Sequence, residues 1–266
     1  MRLDRLGPIA RAWFPFRLGM AWLPALGLGA MLACDWGGGA GSPLAPVLPL
    51  PGIWQGTANP QQGPSGEGYL LVMPDQSFRF LSSAGITEVS GIMTLGGYSL
   101  GGTGTWYTRL DSVPSMPVTL SGTASSSPEQ ILDLFISGSS NVLQCGLGRD
   151  PLANVPMQPA QLAGTYTSSA ANNSGNVLET ITIPADGLSF TGKHAEQTFD
   201  GTLTQIQGLN AFAVKGSFPA AEPGQTPLNF SGFAYLRPGT PAAFILITDA
   251  AATGGTAVVS GIYTGR

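Results

Sequence analysis

GIWQGT at residues 52–57 returns as LAGTYT at 162–167, and VTLSGTAS at 118–125 returns as LNFSGFAY at 228–235. Four further matches keep the same order. PDQSFRFLSS (74–83) pairs with PADGLSFTGK (184–193), and EVSGIMTLGG (88–97) with TFDGTLTQIQG (198–208). DLFIS (133–137) pairs with FILIT (244–248), and VLQCGLGR (142–149) with VVSGIYTGR (258–266). The matches set Phe80 over Phe190, Gly91 over Gly201 and Gly122 over Gly232, an offset of about 110 residues. A period that long gives each repeat its own core, so the body reads as two domains rather than a solenoid.

Every matched block has the pattern of a strand. Phe78 and Phe80 flank Arg79; Leu132, Leu134 and Ile136 alternate with Asp133 and Ser137; Phe212, Val214 and Phe218 alternate with Lys215 and Ser217. A period of two marks strands with one buried face. PDQS, PADG and NNSGN supply turn chemistry between them. No stretch after residue 34 holds an apolar stripe of period 3.6 for three turns. Each repeat therefore predicts about eight short antiparallel strands, closing into a barrel or folding into a sandwich. Eight strands enclose a space that side chains fill or that holds one small ligand. Gly91, Gly104, Gly122, Gly201, Gly216 and Gly232 fall within strands, where glycine marks bulges or tight bends.

Ahead of the repeats, Arg2, Arg5, Arg11 and Arg17 precede the uncharged run LGMAWLPALGLGAMLA (18–33), which ends at Cys34. A basic start, an apolar middle and a small residue before the cut describe a secretory signal. MLAC (31–34) resembles the lipobox of bacterial lipoproteins, Ala33 and Cys34 matching best. The resemblance implies a diacylglyceryl group on the Cys34 sulfur, removal of residues 1–33 and acylation of the new amino terminus. A plain secretory signal and a retained anchor are the alternatives; an anchor needs about 18 or more apolar residues, and Pro24 interrupts this run. Residues 34–51 mix glycine and proline and read as a spacer from the bilayer. Asp35 resembles an inner-membrane retention signal of enteric bacteria, which leaves inner and outer membrane both open.

Residues 1–33 hold four of the 11 Lys+Arg and one of the 15 Asp+Glu, so the remainder carries 7 basic and 14 acidic side chains. That balance argues against nucleic acid, whose binding runs on clustered Lys and Arg. The chain has two cysteines. With Cys34 lipidated, Cys145 has no partner and reads as a small apolar core residue.

The opening G-x-W/Y-x-G/T and the order of glycine-centred strands resemble small lipocalin-like barrels, and more closely the tandem barrel lipoproteins of proteobacteria. The resemblance covers residues 52–266. It implies binding or scaffold roles at the cell envelope, carries over no catalytic residue and no cofactor, and assigns Trp54 to plugging the closed end of the first barrel. Some members brace the barrel with paired cysteines; Cys145 alone cannot.

GYSLG (97–101) matches the nucleophile elbow G-x-S-x-G, with Asp133 or Asp150 and then His194 following Ser99 in α/β-hydrolase order. That elbow needs a strand turning into a helix, whereas this glycine-rich segment reads as a hairpin. His194, the sole histidine, sits in GKHAEQ (192–197), which reads as a polar loop; one imidazole falls short of the usual zinc set. No carboxylate spacing matches a metal loop. Trp106 and Tyr107 adjoin on one strand and so point to opposite faces.

The sequence thus predicts an all-β protein with two tandem, lipocalin-like barrels of about eight strands. Its segments are a signal peptide (1–33), a lipidated cysteine with its linker (34–51) and barrels over 52–150 and 160–266. The expected function is a non-enzymatic, lipid-anchored envelope protein that binds or scaffolds an envelope protein. The alternatives are a carrier of a small apolar ligand, which a filled interior would exclude, a hydrolase using Ser99, and a single wide outer-membrane barrel, whose strands should run to about 9–11 residues with aromatic girdles.

Overall fold

In the computed structural model the described residues run from 50 to 265, except 84–86, 109–114, 126–130, 140, 153, 173–174, 195–196, 221–223, 225, 238–241, 253–254 and 258–259. Cys34, the signal region and the spacer up to residue 49 lie outside them. The first barrel comprises β1 (Gly52–Pro60), β2 (Gly66–Val72), β3 (Ser77–Ser82), β4 (Thr87–Gly96), β5 (Ser99–Thr108), β6 (Met116–Ser125), β7 (Ile131–Ser137) and β8 (Val142–Arg149). Neighbours in sequence pair antiparallel, and β8 closes on β1 through Trp54↔Arg149 to Pro60↔Leu143. A 3-10 turn (Pro159–Leu162) leads to the second barrel. Its strands are β9 (Gly164–Asn172), β10 (Gly175–Ile183), β11 (Ser189–His194), β12 (Gln197–Gln205), β13 (Phe212–Phe218), β14 (Leu228–Arg237), β15 (Ala243–Ala252), β16 (Gly255–Ala257) and β17 (Gly261–Thr264). Here β15 pairs with both β14 and β17, β17 pairs with β9, and β16 hangs on β15 as a short edge. The second barrel is therefore also closed by eight strands, and the expected fold class is borne out.

Inward and outward residues alternate along each strand, as the period of two requires. In β6, Val118, Leu120 and Ala124 are buried while Thr119, Ser121 and Thr123 are exposed. The mid-strand glycines are bends, with no bulge at them: pairing runs unbroken through Ser90↔Thr105, Gly91↔Gly104 and Ile92↔Thr103. A Cβ on Gly91 would lie 2.1 Å from the Thr103 carbonyl oxygen, so only glycine lets the two strands curl so closely there.

The ladders correct part of the repeat alignment. Gly91 pairs with Phe78, and its counterpart Gly201 pairs with Phe190. Phe78, not Phe80, is thus the equivalent of Phe190. Through the Gly104 and Gly216 ladders, Val118 likewise corresponds to Phe230, which shifts Gly122 from Gly232 to Ala234. Both errors are shifts of two residues. Such a shift keeps every side chain on its face, so polarity alone cannot detect it.

The connection between β2 and β3 repeats as well. Asp75 accepts the backbone N–H of Ser77 at 3.0 Å, and Asp186 accepts that of Leu188 at 3.0 Å. Hydrogen bonds from Ser77 hold the Asp75 carboxyl below its ordinary value. Both turns need a left-handed residue next. Gly187 supplies it at φ +64°, whereas the first repeat holds Gln76 there at φ +70°.

Candidate functional site

The interior of each barrel is mainly apolar, and one end of each is plugged in the same way. Trp54 is fully buried and its indole N–H donates to the Leu50 carbonyl at 3.0 Å. Tyr166, its counterpart, is fully buried and donates its hydroxyl to the Leu162 carbonyl at 2.8 Å. Each aromatic reaches back four residues to the carbonyl of a buried leucine just ahead of its strand. The Arg149 guanidinium lies 5.6 Å from the Trp54 ring centre and donates to the Pro51 carbonyl at 2.9 Å, closing the same end from outside. Burial lowers the pKa of Arg149 from its ordinary value.

Above the plug the two interiors diverge. In the first barrel Gly68, Phe80 and Leu147 form the next layer. A Cβ on Gly68 would lie 3.2 Å from Phe80 and 3.3 Å from Leu147, so this layer has no spare space. Cys145 belongs to the same core; it is 1% exposed, and burial pushes its thiol up to about 12. In the second barrel the ladders put Glu179, Gly192 and Tyr263 at the equivalent positions. Glu179 is buried, and the Tyr263 hydroxyl donates to its Oε2 at 2.9 Å. The ring of Phe199 occupies the space over Gly192, 2.1 Å from where a Cβ would be.

Outside, the barrels meet along a seam. Ile53, Tyr69, Leu71 and Leu81 project outward from β1–β3, and Leu209, Ala211, Tyr235, Ile245 and Ile247 project outward from the second barrel to form one buried cluster with them. Burying each large side chain contributes about 1.5–3 kcal/mol. Polar groups bound the cluster. Arg237 donates to the Tyr69 hydroxyl at 3.0 Å and pairs with Glu67 at 3.6 Å, while Tyr69 donates to Glu67. Glu88, 1% exposed, lies 3.9 Å from Arg79 and accepts the Ser260 hydroxyl of the other barrel at 2.8 Å. Burial first, and then the hydrogen bond to Glu67, raises the pKa of Tyr69; burial raises that of Tyr235 well above its ordinary value. The Tyr235 hydroxyl and Asn210 Oδ1 are buried without a hydrogen-bond partner among the described residues.

The second barrel also carries a groove of about 400 Å³ on the outer face of β10–β12. Thr180, Thr182, Thr191, Gly192, Lys193, Thr198, Phe199, Asp200 and Pro219 line it. Its threonine hydroxyls, one cation and one carboxylate can hydrogen-bond, beside apolar surface from Phe199, Pro219 and the threonine methyls, and no charge dominates.

The sequence-selected residues do not assemble into a catalytic site. Ser99 begins β5 and is exposed, directly after a turn at Gly97 and Tyr98 that joins β4 to β5. GYSLG is therefore a strand–turn–strand hairpin, and the helix that a nucleophile elbow requires is replaced by β5. Asp133 lies two strands away on the outer face of β7, while Asp150 is buried and caps Leu152 N–H at 2.8 Å. His194 closes β11, so Gly192–His194 is strand where a loop was expected, and its backbone register falls opposite Glu179. Trp106 is buried and Tyr107 half-buried on opposite faces, as their adjacency requires. Among the described residues no three His, Cys, Asp or Glu side chains converge as metal ligands, and no helix is long and apolar enough to cross a membrane. Sequence reading missed the seam and the groove. Their signal was present as the outward Ile53, Tyr69, Leu71 and Leu81 beside the outward Thr165, Thr180, Thr182 and Lys193.

No family model matches the chain, and no curated protein does. Among solved structures it is similar to a Bacteroides fragilis protein named provisionally as an outer membrane protein, at 13% identity and a TM-score of 0.29, covering 81% of this chain and 97% of that one. A likeness of that size carries no argument about the role of this chain.

Proposed function

We propose that this chain is a non-enzymatic, lipid-anchored protein of the cell envelope. It acts by binding or scaffolding through the outer surface of its paired barrels. Membrane attachment rests on the MLAC sequence and the acyl chains it implies at Cys34; each buried methylene contributes about 0.8 kcal/mol, so several chains hold durably. The observation that carries the surface reading is the contrast between plugged apolar interiors and the groove of about 400 Å³ on the second barrel. A full layer around Gly68 disfavours the carrier reading for the first barrel. Outer faces that are apolar where the two barrels meet and largely polar where they are exposed, over mainly apolar interiors, differ from the apolar outer band of a lipid-embedded barrel.

Photo-crosslinking in cells tests the reading, with a benzophenone amino acid at Thr182 in the groove and at Thr103 on the first barrel as control. The expected result is a discrete envelope adduct from Thr182 and none from Thr103. Equal or absent crosslinking at both positions contradicts a binding role for the groove. Native mass spectrometry of protein extracted from membranes then reads acyl mass on Cys34; an unmodified Cys34 contradicts the anchor.

A further inference from the structure

The seam joins unlike faces. The first barrel contributes β1–β3, its head face, and the second contributes mainly β14, β15 and β17, its tail face. An interface of unlike faces between like units has no internal reason to stop at two, because each unit retains one unused head or tail. The ladders identify those unused faces residue by residue. The head face of the second barrel places Thr165, Thr180, Thr182 and Lys193 where the first has Ile53, Tyr69, Leu71 and Leu81. Arg79 and Glu88 likewise correspond to Thr191 and Thr198. The groove described above is thus the second barrel's version of the docking face. At the other end, the tail face of the first barrel places Ser121, Thr123 and Asp133 where the second has Phe233, Tyr235 and Ile245. Ser121, Thr123 and Asp133 are all exposed. Seven apolar or aromatic anchors correspond to short polar or charged residues, while the inward residues of the same strands stay mainly apolar, Glu179 being the charged exception.

We propose that the seam is a directional, head-to-tail docking surface for barrels of this kind, and that polar residues at both unused faces hold the protein at two barrels. The partner each face is shaped for is a second copy of this chain, which the native residues turn away. Docking there would bury five threonine and serine hydroxyls, of which Thr165 and Thr182 bond each other, together with Lys193 and Asp133, where the native seam buries hydrocarbon. The same substitutions leave the second barrel's head face exposed, and this is the surface on which the groove lies.

Two variants test this on the full mature chain. A head-restored chain carries Thr165→Ile, Thr180→Tyr, Thr182→Leu and Lys193→Leu. A tail-restored chain carries Ser121→Phe, Thr123→Tyr and Asp133→Ile, with Phe135 already apolar. The wild type and each variant alone are expected to sediment as monomers. An equimolar mixture is expected to double in mass, and a chain carrying both sets is expected to form open-ended polymers. Circular dichroism of each separate variant establishes that it is folded before mixing. The proposal is overturned if folded variants fail to associate when mixed, if either variant self-associates as strongly as the mixture, or if the wild type is itself a head-to-tail oligomer.

Discussion

The first and second barrels share a plug and a ladder, and they differ most on their outer faces. Trp54 and Tyr166 plug them through the same reach-back to Leu50 and Leu162, and both ladders close on eight strands. Yet the outer face of β1–β3 is packed hydrocarbon, while that of β9–β11 is threonine and lysine. The difference teaches where duplication leaves a protein room to change. A closed barrel constrains its inward residues by volume, since neighbours on all sides must fit one another. Its outward residues answer only to whatever covers them. Even the interior change from Gly68, Phe80 and Leu147 to Glu179, Gly192 and Tyr263 came as a set, with a smaller residue opposite a larger one.

The largest effect should come from giving a seam residue the identity of its counterpart. Leu71→Thr removes buried hydrocarbon and leaves a hydroxyl in its place, at a cost of about 3 kcal/mol. The reciprocal Thr182→Leu, on the exposed face, should stay within about 0.5 kcal/mol. Urea unfolding of both variants checks the pair, and equal effects would erase the distinction between the faces. Tyr263→Phe should cost about 1–3 kcal/mol, read by urea unfolding, by removing a donor from buried Glu179.

The Cys145 thiol has its folded value raised from 9.0 to about 12. Its contribution is therefore complete below pH 9 and is lost as pH climbs toward 12. Cys145→Ala should lower stability at pH 8 and flatten the decline between pH 9 and 11, measured as urea midpoints; a parallel decline would mean that the thiol is not the titrating group. Tyr235→Phe removes a buried hydroxyl that lacks a partner among the described residues. It should raise the melting temperature, by a gain of about 1 kcal/mol. Smallest is Gln76→Gly, which gives the first repeat the residue that the second already has at that turn and should stabilise by about 0.5–1 kcal/mol.

Much of the fold was legible because it rests on local alternation. Phe78, Phe80, Leu132, Leu134 and Ile136 announced their faces, and six ordered matches announced the duplication. The two-residue slips at Phe190 and Gly232 went unseen because alternation is blind to even shifts. GKH was placed in a loop because its residues are polar. The backbone carries β11 through His194 because the ladder with Thr198 and Gln197 continues there. The seam was not legible for a different reason. Outward apolar residues in one repeat look like ordinary exposed hydrophobes until the register of the other repeat shows what they replaced. Cys34, on which the proposed lipid anchor rests, lies outside the described residues and is read from the sequence.

The apolar outer face of β1–β3 holds the two barrels together as one body. Differential scanning calorimetry of the mature chain tests it directly. The predicted result is a single transition whose calorimetric and van't Hoff enthalpies agree, splitting into two when Leu71→Thr weakens the seam. Two independent transitions in the wild type, unchanged by Leu71→Thr, would contradict it.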